Sequence, residues 1–198
     1  MEATLSEPLP PGRRPARRPA VPSAVLGTLF FVVAEVMFFA GLLSAFTITR
    51  ANQLPGMWPP PGQPVLPAGA TALNTGFLLL SGVVLLVSYF VWRKTPALAT
   101  WPMLGAWLLG LAFVVLQGQE WLGLLGKGLT LTSSPLGSFF YLIVGGHALH
   151  AVGALVVMAW ACAQQLKGKL TAGLFFGVQT FWYFVVLMWP VIYARVYF

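Results

Sequence analysis

Few residues in this 198-residue chain can do chemistry. It has no Asp, one cysteine (Cys162), two histidines and four glutamates. Glu35, His147 and His150 lie inside long apolar runs, and Glu120 lies near the end of another. A carboxylate and two imidazoles could transfer protons, ligate a metal, or form a structural polar contact. In hydrocarbon, an exposed charged side chain costs about 2.5–3.5 kcal/mol on insertion scales. Glu35, set in AEVMFFAGLL, is therefore expected to face other helices, either protonated or paired with a histidine. Di-iron bundles pair their histidines with a Glu three residues earlier, and neither histidine here has one. One carboxylate and two imidazoles at a single depth could still take zinc or iron. A stand-alone membrane metalloprotein using Glu35, His147 and His150 is thus a competing reading; the favoured one has no metal and no catalytic residue in this chain. A Ser/His/Asp triad is impossible without Asp, and no nucleotide-binding glycine motif follows a strand. His147 and His150 sit three apart on one helix, so they cannot be the opposite axial ligands of one haem.

The elements that position these residues are membrane helices. Hydrophobic residues make up 58% of the chain and charged residues 8%, and the mean hydropathy is +0.82. Soluble domains carry about 25% charged residues, so this composition reads as an all-α integral membrane bundle. Five apolar runs approach the ~20 residues a bilayer requires. They are expected at residues 23–49, 68–92, 100–121, 138–162 and 171–196. Residues 1–22 form a Pro-rich basic tail that is expected to be disordered and cytoplasmic, leaving 23–198 as one membrane domain. The net charge of +7 does not point to nucleic acid, because the basic residues gather in the tail and at helix ends. One side of the membrane collects Arg13, Arg14, Arg17, Arg18, Arg93, Lys94, Lys167 and Lys169; the other has Arg50, Lys127 and Arg195. The richer side should be cytoplasmic, which puts the N-terminus inside and the C-terminus outside.

This topology turns residue number into depth. Glu35, His150 and Tyr183 should meet near the bilayer centre, with His147 one turn toward the outside. Asn74, Gln117, Gln119 and Glu120 should form a second polar cluster near the outer boundary. In SFFYLIVGGHALHAVGALVVMAWAC, Gly145, Gly146 and Gly153 are expected to let a neighbouring helix approach the histidines closely.

Taken together, AEVMFFAGLLSAF (34–46), MWPPPGQP followed by LNTGFLLLSGV (57–83), LQGQEW (116–121) and GSFFYLIVGGHALHAVGA (137–154) resemble subunit III of the haem-copper terminal oxidases. The blocks follow the family's order and span nearly the whole chain. Members commonly have seven spans, so the resemblance is to the five-span forms; they also commonly carry a histidine where Tyr183 stands. The resemblance implies a non-catalytic accessory subunit that packs mainly against subunit I, alongside subunit II and membrane lipids. It implies haem and copper in the partner subunits, none bound by this chain, and room for bound phospholipid. It implies a role in supporting proton uptake during aerobic electron transport, in a bacterial cytoplasmic membrane. The corresponding subunit of a quinol oxidase or nitric oxide reductase is the alternative within the resemblance.

Overall fold

The computed structural model describes residues 23–54 and 56–198. The basic tail, with Arg13, Arg14, Arg17 and Arg18, lies outside the described residues. Among the described residues, every regular element is helical: α1 (Ser23–Ala51), α2 (Ala68–Lys94), α3 (Thr100–Gly126), α4 (Pro135–Leu166) and α5 (Ala172–Val196), with a single 3₁₀ turn at Pro96–Ala99 joining α2 to α3. All five long helices are long and apolar enough to cross a membrane. The first four overrun the expected spans by a few residues, whereas α5 keeps its expected bounds to within one residue.

The caps explain the boundaries. Ser134 opens α4 by accepting from the Gly137 amide, with Pro135 in the first turn, where its missing N–H costs nothing. Thr171 opens α5 by accepting from the Leu174 amide. At the end of α3, the Leu129 amide bonds the Leu124 carbonyl and the Gly128 amide bonds Leu125. At the end of α4, Lys169 bonds Gln164 and Gly168 bonds Gln165 in the same pattern. Both closures need a left-handed residue, supplied by Gly128 (φ 88°) and Gly168 (φ 66°).

The helices alternate in direction, so the bundle has two ends. At one, Gln165 in the last turn of α4 donates to the Pro96 carbonyl between α2 and α3. At the other, Arg50 donates to the Phe198 carbonyl and Tyr193 to the Ala68 carbonyl. In the bundle α5 packs against α1, α2 and α4, while α3 packs against α2 and α4. Helix α1 is the most peripheral and presents Phe30, Val33 and Met37 outward, as a helix bathed in lipid would. With no hydrophobic effect to drive association inside a bilayer, packing and interhelical hydrogen bonds hold such a bundle. Trp182 and Trp189 of α5 supply both. They are buried, and their indole N–H groups donate to Ser81 (3.1 Å) and Thr75 (2.8 Å) of α2.

The close helix approaches are not where the glycines of α4 led us to expect them. A β-carbon on Gly153 would meet nothing within 4 Å, and one on Gly145 or Gly146 would make only ordinary contacts, with Trp121 (3.7 Å) and Phe39 (3.9 Å). The tight positions between helices are Gly110, where it would lie 2.5 Å from the Trp182 ring, and Gly82, where it would lie 3.0 Å from Val186; Gly137 of α4 is tight only against the preceding loop, at the Thr130 carbonyl. Bulky α5 side chains need the small residue opposite them; the glycines of α4 meet no such partner.

Candidate functional site

The peripheral helix α1 carries one acid, Glu35, near its middle, and α4 carries His150 near its middle. The two meet: Glu35 Oε2 lies 3.1 Å from His150 Nε2. Their side chains are 19% and 15% exposed, so the pair sits at the edge of the bundle rather than in its centre. The other ring nitrogen, Nδ1, lies 2.7 Å from the Gly146 carbonyl one turn earlier. That contact fixes the proton inventory. A carbonyl only accepts, so Nδ1 must carry hydrogen. The remaining contact holds one proton, either on the carboxyl facing a neutral ring or on Nε2 facing a carboxylate. In both forms the pair as a whole is neutral, which suits a low-dielectric setting. Phe39, Phe181 and Phe184 surround the ring at centroid distances of 5.6, 6.4 and 5.9 Å.

His147 does not join the pair. Its ring is almost fully buried between Trp189 (5.1 Å) and Phe39 (6.2 Å), and neither nitrogen has a protein partner among the described residues. Tyr183 shares the depth but sits beside Val32, Val36 and Leu187, its hydroxyl without a partner among the described residues. The expected four-residue cluster is therefore one bonded pair and two separate residues. The metalloprotein reading needs Glu35, His147 and His150 on one ion, and the structure brings only two of them together. Among the described residues, no three His, Cys, Asp or Glu side chains converge.

The second site is built around Glu120 of α3. Its Oε1 accepts from Asn74 Nδ2 (2.8 Å), and its Oε2 from Thr71 Oγ1 (2.6 Å) and Gln117 Nε2 (3.1 Å). Gln117 Nε2 also lies 3.3 Å from the Tyr197 hydroxyl, just beyond α5. Burial, and then the nearby Glu120 charge, push Tyr197 above the usual phenol range, so it stays protonated. Gln119, expected in this cluster, is exposed instead: two residues from Gln117 along a helix, it points the other way. Thr71 and Tyr197 complete the site and were not anticipated. Their signal was faint, since a threonine near the start of a helix and a tyrosine at the chain's last turn are both ordinary in membrane proteins.

The architecture and both sites can now be set beside known proteins. The family described as cytochrome c oxidase subunit III matches residues 18–198. The chain belongs to the cytochrome c oxidase subunit III family. It is 32% identical over 185 residues to the probable cytochrome c oxidase subunit 3 of Mycobacterium leprae (strain TN), covering 87% of this chain and 86% of that one. It is 31% identical over 183 residues to the probable subunit 3 of Nocardia farcinica (strain IFM 10152), with the same coverage. It is 31% identical over 179 residues to the cytochrome c oxidase subunit 3 of Rattus norvegicus, covering 86% of this chain and 67% of that one. Membership makes the chain a multi-pass membrane subunit of a haem-copper oxidase, an oxidoreductase complex, and it assembles with other subunits of that complex.

Proposed function

We propose that this chain is an accessory subunit that stabilises the catalytic subunit I and supports its proton uptake, without a redox group of its own. The observation that carries this reading is the Glu35–His150 pair: one mid-membrane carboxyl, one base, and a single proton between them. The surroundings of the two histidines support this reading. His150 is engaged at both nitrogens, and His147 is enclosed by aromatic rings. Haem and copper then belong to partner subunits I and II, and lipid fills the flanks of the peripheral α1. The names of the relatives favour cytochrome c over a quinol as electron donor and an oxidase over a nitric oxide reductase. The excess of basic residues supports a cytoplasmic location, in a bacterial membrane, for the end of the bundle carrying Arg93, Lys94, Lys167 and Lys169.

Purification of the tagged chain from its own membrane tests this. Haem absorbance and cytochrome c oxidation should elute with it in fixed ratio. A chain that purifies alone with bound metal, or that moves protons alone in vesicles, would overturn the accessory role. A reporter fused after Phe198 should be active outside the cytoplasm; cytoplasmic activity would reverse the orientation.

A further inference from the structure

A groove of about 540 Å³ lies between the ends of α1 and α5, at the end of the bundle opposite Arg93 and Lys169. Arg50, in the last turn of α1, and Arg195, in the last turn of α5, both line it. Its exposed wall is nearly as polar as it is apolar. Arg50 spends one N–H on the Phe198 carbonyl (2.6 Å) and keeps the others, since a guanidinium carries five. Arg195 is exposed and makes no hydrogen bond or ion pair among the described residues. No acidic side chain lines the groove. The two glutamates of the described residues, Glu35 and Glu120, are bonded elsewhere. Two guanidiniums on one groove without a carboxylate side chain make a place for an anion, and their forked N–H groups match the oxygens of a phosphate.

The groove continues past the arginines. Toward mid-membrane the same two helices bound a second, almost wholly apolar groove of about 430 Å³, with Val36 on α1 and Tyr183, Leu187 and Val191 on α5. Both grooves lie on one face of the helix pair. On α5, Tyr183, Leu187, Val191 and Arg195 follow one another at four-residue steps, the spacing of a single helix face. From Tyr183 to Arg195 is a little over three turns, a rise of about 18 Å. One leaflet of hydrocarbon is about 15 Å deep, half of a ~30 Å core. A seam walled by carbon for the depth of one leaflet, with two cations at its mouth, has the shape and charge pattern of a phospholipid. Free phosphate would use the mouth alone. We propose that this seam binds an anionic phospholipid of the leaflet at this end, its phosphate on Arg50 and Arg195 and an acyl chain between α1 and α5. The ammonium of a zwitterionic headgroup would find no carboxylate side chain on the lining, which is why an anionic headgroup is preferred. The inference rests on the reading that lipid flanks α1, and narrows it to one site and two residues.

The assembled oxidase, purified in detergent and washed free of loose lipid, tests it. In a density map, a phosphate should bridge the two guanidiniums, with an acyl chain running past Val191 and Leu187. Native mass spectrometry should count one retained dioleoylphosphatidylglycerol that Arg195→Gln binds about tenfold more weakly. That side chain holds nothing within the chain, so folding is not at stake. Arg195→Lys, which keeps the charge, should recover part of the affinity. Dioleoylphosphatidylcholine should bind the parent complex about tenfold more weakly, and inorganic phosphate at equal concentration should not displace the bound lipid. Equal retention by Arg195→Gln and the parent, equal binding of the two lipids, or a partner's carboxylate on the arginines would overturn the site. Lipid density elsewhere along α1 with none at the arginines would sink this site alone; no lipid anywhere along α1 would sink the broader reading with it.

Discussion

Glu35 and Glu120 both place a carboxyl group inside an apolar helix, and they are stabilised in opposite ways. Glu120 collects donors: Thr71 and Asn74 from α2 and Gln117 from its own helix, all giving hydrogen and none taking it. Such a site suits a carboxylate that keeps its charge, since each oxygen is met by a donor. Among the described residues Glu35 has a single side-chain partner, a base, and shares one proton with it. The first arrangement ties α2 to α3 and reaches Tyr197 after α5. The second pins the peripheral α1 to α4 and can change which atom holds its proton without changing its net charge. The difference teaches that depth alone does not say what a membrane glutamate does. The neighbours decide, by being donors that fix a charge or a base that can trade a proton.

The sharpest way to break the comparison is to remove the donor-collecting carboxylate. Glu120→Ala removes the shared acceptor of three donors: Thr71 keeps the Pro67 carbonyl and Gln117 the Tyr197 hydroxyl, while buried Asn74 loses its partner, at about 1–3 kcal/mol beside the lost charge-assisted bonds. It should lower the thermal midpoint of the complex more than any substitution at Glu35 and reduce recovery of the chain with its partners. If Glu120→Ala melted like the parent, the site would not be the clasp described here. Gly110→Ala comes next. It forces a β-carbon against the Trp182 ring, itself held by Ser81, so overpacking should cost about 1–3 kcal/mol. Gly146→Ala, with 3.9 Å to Phe39, should melt within ~0.5 kcal/mol of the parent while leaving its carbonyl for His150. Equal melting of the two alanine variants would put the close helix contact back on α4.

What the sequence made legible follows from what it encodes by number. Five apolar runs, capped at Ser134 and Thr171 and closed at Gly128 and Gly168, fix the helices and their alternation. Alternation fixes depth, and a charged group at mid-depth demands either a proton or a partner, which is why Glu35 was expected to face other helices, protonated or paired with a histidine. Azimuth is another matter. Gln117 and Gln119 differ by two residues, and one is buried where the other is exposed. Tyr183 shares the depth of Glu35 yet faces Val36 and Leu187. Those outcomes depend on how α5 is rotated, and that is set by Trp182 and Trp189 seating against α2 and Gly110, a fit that no local pattern announces. Thr71 and Tyr197 were missed for the same reason: donors join a site through packing, and spacing does not reveal them.

Replacement of Glu35 by alanine should have a moderate effect. It leaves His150 Nε2 without a partner at a site only partly exposed, at about 1–2 kcal/mol, and frees α1 from α4 at mid-membrane. Retention of the chain in the complex and sustained turnover should both fall.

Glu35→Gln should have the smallest effect and is the most informative. The His150 ring keeps its Nδ1 hydrogen on the Gly146 carbonyl, so its Nε2 is a free acceptor in the neutral form. A glutamine amide fills the same volume and donates to that nitrogen, so the hydrogen bond survives while the exchangeable acid is lost. Assembly and melting should match the parent, and initial oxygen consumption should stay within about twofold, a change of under 0.5 kcal/mol in the barrier. The proton-sharing role shows only over many turnovers, where activity should decline faster than in the parent. If initial turnover collapsed while the complex stayed whole, Glu35 would be an obligatory proton carrier and not an accessory one. If sustained turnover were unchanged, the shared proton would have no part in function, and the pair would be a structural contact like the one at Glu120.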